Sequence, residues 1–408
     1  MRTVPRDQTL SLWREGYAWM PNRRHMLGVR DFRASLLGQS VACVCGPEAA
    51  QRFYDEAYFQ RQDAMPGPVQ RTLTGLDAVQ SLDGTPHRHR KGMFLALRDP
   101  VGVQALVDRV LVEWDASIRG WAGHERVVLF DEAAQVLTRA VGAWAGLPHD
   151  GHLVTSAELT ALVDGFGTLG PRHWRGRRAR ARAEQRLEAS VRRARAAPEC
   201  HDDGSMFARI ITHREQDGRL LEARTAAVEI LNVLRPTAAI AWFVSFAAHA
   251  LHRWPACRAR LQSDDPAFAV AFAQEVRRFY PFAPFMGARA RQDVPWDDDL
   301  IEPGTLVLLD LFGHNHDEDL WESPWHFAPE RFIGHRPGQF DLVPQGAGDP
   351  ATGHRCPGED IVVATLAALV PRLARLEYEV PDQDLAIPLA RIPTRPRSGV
   401  VLENVRAR

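Results

Sequence analysis

Cys356 is the residue best placed to do chemistry. It stands in Gly353-His354-Arg355-Cys356-Pro357-Gly358-Glu359, at the end of a run from Pro344 dense in glycine and proline. Such a run is a loop forced through tight backbone conformations. Beyond it Ile361, Val362, Thr365, Leu366, Leu369, Val370 and Leu373 recur at helical spacing. Cys356 therefore sits at or just before a helix N-terminus, where unpaired N–H groups and the helix dipole favour a thiolate. Arg355 and His354 push the same way. A thiolate held so is a metal ligand or a nucleophile, and a nucleophile needs a base and an oxyanion site as well. A second residue of interest is Arg235, beside Pro236 in an apolar stretch. A buried arginine is costly unless paired, so it marks an internal salt bridge or an anion site. Glu275-x-x-Arg278 is a third feature: residues three apart on a helix share a face and can pair.

These residues need a helical scaffold. The spacing predicts a long helix from about Glu222 to His252, with Ala226, Ala227, Ile230, Leu231 and Leu234 on one face. Pro236 lacks an N–H and clashes one turn back, so a kink is expected there. Further helices are expected after Pro47, after Thr85-Pro86 with Thr85 as N-cap, after Asp99-Pro100, after Asp131 as a cap, and from Phe272 to Tyr280. Phe32 to Val44, Thr305 to Leu311 and Leu376 to Val380 read as strands.

With 45% hydrophobic and 25% charged residues and a net charge of -1, the 408-residue chain has a soluble globular composition. No linker or repeat divides it, so one domain over 1–408 is expected. No apolar signal region follows Met1, and the apolar run Ala238 to Leu251 is too short to span a bilayer. A cytoplasmic protein without a membrane anchor is the expectation. Cys43, Cys45, Cys200, Cys257 and Cys356 form no disulfide framework, and Cys43-x-Cys45 reads as buried strand. His314-x-His316 lacks further ligands at metal spacing and reads as loop histidines. Arginine dominates Arg172 to Arg195, balanced in part by Glu184 and Glu188. With the whole chain near neutrality this is a solvated helix rather than a nucleic-acid site.

Taken in order, the interrupted apolar helix, Glu275-x-x-Arg278, Pro329-Glu330-Arg331-Phe332 and the loop at Cys356 resemble the cytochrome P-450 family over nearly the whole chain. The resemblance implies a mainly α fold, a helix-rich triangular domain with a small β-sheet region. It implies haem b, with Cys356 as axial ligand of the iron. Glu275, Arg278 and Arg331 would form a structural network behind the haem, and His87 and Lys91 would meet its propionates.

The chain departs from the oxygen-activating members at one place. They carry an acid–alcohol pair in the middle of the long helix, where Leu234-Arg235-Pro236-Thr237 stands here. Arg-Pro resembles the bacterial fatty-acid peroxygenases, as do Ala78 to Gly84 and Gly170 to Trp174. That likeness implies hydroxylation of long-chain fatty acids at the α or β carbon, with hydrogen peroxide as oxidant and no redox partner. A guanidinium clamps a carboxylate through two parallel hydrogen bonds. The substrate carboxylate on Arg235 would then act as general base and acid. Gln80 resembles the hydroxylating members, where decarboxylating ones tend to carry histidine. Thr74 departs from the bulkier apolar residue common in the branch. The competing functions are a fatty-acid decarboxylase, a dioxygen-dependent monooxygenase with redox partners, and a haem-thiolate sensor or carrier.

Overall fold

Two kinds of sequence pattern, helical stripes and short alternating runs, separate in space. The computed structural model describes residues 1–95, 99–121, 124–148, 153–197 and 204–406, so Cys200 lies outside the described residues. Helices build the larger part. The stretch Ala223–Ala238 followed by Ile240–Arg253 runs through its middle. It packs on Leu129–Trp144, Pro171–Ala196 and the helix after the cysteine loop, Glu359–Arg375. Nearly every residue from Ile240 to Leu251 is buried, because apolar side chains stand on all sides of this segment. Trp242 meets Phe130 edge to face at 4.6 Å, a pairing that contributes about 0.5–1.5 kcal/mol beyond its buried area. By length and composition Ala223–Arg253 could cross a membrane, but 94% of its apolar window is buried inside the protein.

The strands gather to one side. A six-stranded sheet runs in the order Arg2–Asp7, Phe32–Leu36, Gln39–Val44, Leu306–Asp310, Phe285–Ala290, Phe59–Gln60. Val41 to Val44 pair in parallel with Leu306 to Leu309, and Cys43 and Cys45 are buried at this seam. Arg126–Val128, Val401–Arg406 and Glu377–Glu379 form a smaller sheet.

Several boundaries differ from expectation. The helix that opens at Pro47, expected to run to about Tyr58, stops at Phe53. The helix expected to open at Thr85 starts at Gly84 and runs to Leu95. Asp131 lies in the first turn of a helix that begins at Leu129, because Leu129 and Phe130 are already anchored on Val400 and Gly399. The long helix runs through Pro236 to Ala238, its turn closed by the Ala239 N–H on the Arg235 carbonyl at 2.9 Å, and is interrupted at Ala239, three residues beyond the proline where a kink is expected. The arginine-rich helix is less solvated than expected. Arg180 is buried on Glu184 and the carbonyls of Leu73 and Thr74, while Arg172 and Arg175 bond Asp164. Of the two expected loop histidines, His316 lies in a turn and His314 ends the short helix Leu311–His314; both are buried, with backbone partners at Phe312 and Asp341 respectively.

Candidate active site

Cys356 lies three residues before the helix Glu359–Arg375, and its N–H donates to the Gln345 carbonyl at 3.2 Å. The loop keeps its shape partly through Gly346. Its φ is +96°, and an added Cβ would lie 2.5 Å from the Tyr54 hydroxyl. Lys91 reaches across from the helix Gly84–Leu95 to the carbonyls of Gly353 and Arg355, the latter at 3.0 Å. Arg277 is buried and bonds Glu359 and, at 3.0 Å, the Gln345 carbonyl oxygen of the side chain. The Gln345 amide is thereby turned so that its N–H faces the Cys356 sulfur at 3.7 Å.

The electrostatics differ from the expectation at one point. The Cys356 thiol is pushed up rather than down, because burial outweighs the nearby N–H of Gly358 and the charges of Lys91 and Arg277. Arg355 does little for it, since its guanidinium is spent on Glu359 at 2.6 Å. Burial works against the Glu359 charge, yet Arg277 and Arg355 hold its carboxyl down to about 2. His354 is 3.4 Å from Asp83 and stacks on His87 at 3.9 Å. A thiolate at Cys356 therefore calls for a cation on its sulfur, which is the chemistry of a metal ligand.

His87 is buried with Nδ1 unsatisfied. Burial first, then His354 and Lys91, push its imidazole down to about 3. His87, His354 and Glu56 also bring their ligand atoms within 4.8 Å of one another.

Arg235 and Gln80 are linked through Asn232. Arg235 is buried near the end of the helix Ala223–Ala238, and among the described residues it has no carboxylate partner. Its Nη2 donates to Asn232 Oδ1 at 3.3 Å and its Nε has no partner. Burial, then Arg180, lower the guanidinium to about 9, while Cys356 acts in the opposite sense. Gln80 sits on the turn Val79–Ser81, and its side-chain oxygen accepts from Asn232 Nδ2 at 3.4 Å. Pro236, half-buried, follows inside the helix. Thr74 is buried and bonds its own loop.

The structure also brings Glu275, Arg278 and Arg331 together. Arg278 donates to Glu275 through two bonds at 2.7 and 2.8 Å, and Arg331 Nε lies 3.3 Å from the same carboxylate. Glu275 accepts from the Ala328 N–H at 2.8 Å as well, and Arg278 reaches the carbonyls of Asn315 and Pro324.

Sequence reasoning passed over Glu229, Asn232, Arg277 and Gln345. Glu229 is fully buried, and burial raises its carboxyl to about 7 against the pull of Asn232 and Arg90. The signal was present: an acid between Ala226, Ala227 and Ile230 is as conspicuous on an apolar helix face as Arg235.

The structure thus holds a half-buried cysteine on a rigid loop and, within reach of its charge, a buried arginine without a carboxylate partner among the described residues. The family model described as Cytochrome P-450 matches residues 267–389, which hold Glu275, Arg278, Arg331 and Cys356. Cytochrome P-450 4e2 of Drosophila melanogaster is 33% identical over 109 residues, 27% of this chain and 20% of that protein. Putative cytochrome P-450 137 of Mycobacterium tuberculosis is 27% identical over 206 residues, 48% of this chain and 42% of that one. The chain thus spans less than half the length of these curated relatives.

Solved structures match along the whole length. A variant of cytochrome P-450SP alpha is 43% identical, with 98% of this chain and 99% of that one covered and a TM-score of 0.94. Cytochrome P-450EX alpha with myristic acid is 36% identical, covering 100% and 99%, at 0.95. A variant of cytochrome P-450 OleT in complex with arachidonic acid is 32% identical, covering 100% and 98%, also at 0.95. The chain belongs to the cytochrome P-450 family. Within it, the whole-length likeness is to the fatty-acid peroxygenase branch that Arg235-Pro236 suggested.

Proposed function

We propose that the protein hydroxylates long-chain fatty acids at the α or β carbon, using hydrogen peroxide and a haem ligated by Cys356. One observation carries the proposal: Arg235 is a buried cation without a carboxylate partner. A fatty-acid carboxylate supplies what it lacks, through paired charge-assisted hydrogen bonds. The residues present fit a haem, since Cys356 offers a sulfur that needs a cation and His87 an unsatisfied buried nitrogen for a propionate. Lys91 would serve the haem through the backbone of the ligand loop as well. A thiolate-ligated haem, when bound, supplies O–O cleavage and insertion of oxygen into a C–H bond.

Arg235 pins the carboxylate so that this group can take a proton from peroxide and return it to the departing oxygen, the work of an acid–base residue the chain does not provide. Pinning also limits which carbons approach the reacting centre, hence the α or β position. Gln80 is neutral and offers no proton exchange of the kind histidine supports, which favours hydroxylation over decarboxylation. Peroxide brings the oxygen already reduced, so no electron-donor protein is required. The free thiols of Cys43, Cys45, Cys257 and Cys356 support a cytoplasmic location. Myristic acid and hydrogen peroxide supplied to the haem-loaded protein, without reductase or ferredoxin, should give hydroxy acid and water. Turnover only with dioxygen and an electron donor would overturn the proposal, and mostly terminal alkene would reassign the product.

A further inference from the structure

Glu229 touches neither Cys356 nor Arg235, yet both of its oxygens act on the site. One accepts from the Val79 N–H at 2.8 Å, in the turn that carries Gln80. The other accepts from Asn232 Nδ2 at 3.1 Å. Arg90 Nη1 stands 3.7 Å away and balances the charge, while donating to the Asp77 carbonyl and to Glu215. An amide has one accepting end and one donating end. With Asn232 Nδ2 committed to Glu229 and, at 3.4 Å, to Gln80, only its Oδ1 remains to receive Arg235. The contacts to Gln80 and Arg235 are long, as such contacts often are before a ligand tightens them.

We propose that Glu229 is a positioning residue, which fixes the Asn232 amide and the Val79–Ser81 turn and so aims Arg235 and Gln80 at the substrate carboxylate. The inference rests on the fatty-acid role of Arg235. A carboxylate is the group that can do this, because it accepts at both ends. In Glu229→Gln one end becomes a donor. It then confronts either the Val79 N–H or the Asn232 Nδ2, and one of the two links must fail. When the Asn232 link fails, the amide turns and presents N–H to a guanidinium.

The test uses the haem-loaded wild type, Glu229→Gln, Asn232→Leu and the double variant. Myristic-acid affinity is read by calorimetry, and hydroxyl position by product analysis with peroxide. Each single variant should weaken binding about tenfold and shift the distribution of hydroxylated carbons. The double variant should be no worse than the weaker single, because both cut one chain of contacts. A merely structural Glu229 would lower the thermal midpoint and leave the product distribution in place, which would overturn the proposal. So would wild-type binding by Glu229→Gln, or losses that multiply in the double variant. Should Glu229→Gln fail to fold, Asn232→Leu keeps the Glu229–Val79 bond and reads the same link, and wild-type affinity and product distribution there would overturn it too. If the wild type itself binds no fatty acid, the substrate reading falls separately. A crystal structure of Glu229→Gln then decides: a turned Asn232 amide or a displaced Val79–Ser81 turn supports the positioning role, and both left unchanged overturns it.

Discussion

Replacing Arg235 by methionine should stabilise the ligand-free protein while destroying its response to fatty acid. Burial holds the Arg235 guanidinium at about 9, against about 12.5 for a free one. At about 1.4 kcal/mol for each tenfold, that difference is about 5 kcal/mol, the upper end of what the uncompensated charge costs the fold. The variant also strips Asn232 Oδ1 of its donor, a loss of about 1 kcal/mol. The net gain expected is about 1–4 kcal/mol, similar to that seen when buried charges give way to apolar residues. A bound carboxylate relieves the same cost in the wild type. Thermal unfolding of the haem-loaded proteins should thus show Arg235→Met melting above the wild type without ligand. Myristic acid should raise the wild-type midpoint and leave the variant where it is. Peroxide-driven turnover should fall with the loss of about 2–5 kcal/mol of buried charged contact. A short carboxylic acid should switch on oxidation of non-acid substrates in the wild type alone. A variant that melts lower without ligand, or that gains as much from myristic acid as the wild type, would refute the reasoning.

Three further outcomes are expected. Cys356→Ser should lose the red-shifted Soret band of the reduced, carbon-monoxide-treated protein, and a normal band would remove the ligand assignment. Gln80→His should move products toward terminal alkene, by giving the turn at Val79–Ser81 a proton-exchanging group; an unchanged product ratio would reduce Gln80 to a structural amide. Burial holds His249 and His314 down to about 4 and His316 to about 3. These groups are neutral in the folded chain, and the unfolded chain takes up their protons first as pH falls through about 6.5. Stability to urea should therefore drop between neutral pH and about 4, opposed in part by the raised carboxyls of Glu229 and Asp310. A flat profile across that window would contradict the buried placement of the histidines.

The parts legible in the sequence were those whose chemistry is local. Glycine and proline around Cys356 announce a loop whatever surrounds it, and Glu275 and Arg278 sit one helical turn apart on one chain segment. Arg235 stood out because a charge interrupts an apolar face. What stayed hidden depends on contacts between distant segments. The resemblance alone points to Lys91, as a propionate contact, and its bonds to the carbonyls of Gly353 and Arg355 exist only because the fold brings two distant segments together. Arg277 carries no signal of its own in the sequence, and it is buried because Gln345 and Glu359 arrive from another element. The expected lowering of the Cys356 thiol failed because burial, which only the fold creates, outweighs the Gly358 N–H and the charges of Lys91 and Arg277, while Arg355 is engaged by Glu359.

The seam where Val41 to Val44 pair with Leu306 to Leu309 has a consequence for how the chain is made. Phe32–Leu36 and Gln39–Val44 can form a hairpin as soon as they leave the ribosome, but the hairpin's second edge stays unpaired until residues near Asp310 emerge. For most of synthesis an apolar strand edge is open to any neighbouring nascent chain. Fragments that end before Leu306 should collect in the insoluble fraction, and slow elongation late in the message should lower the yield of folded protein.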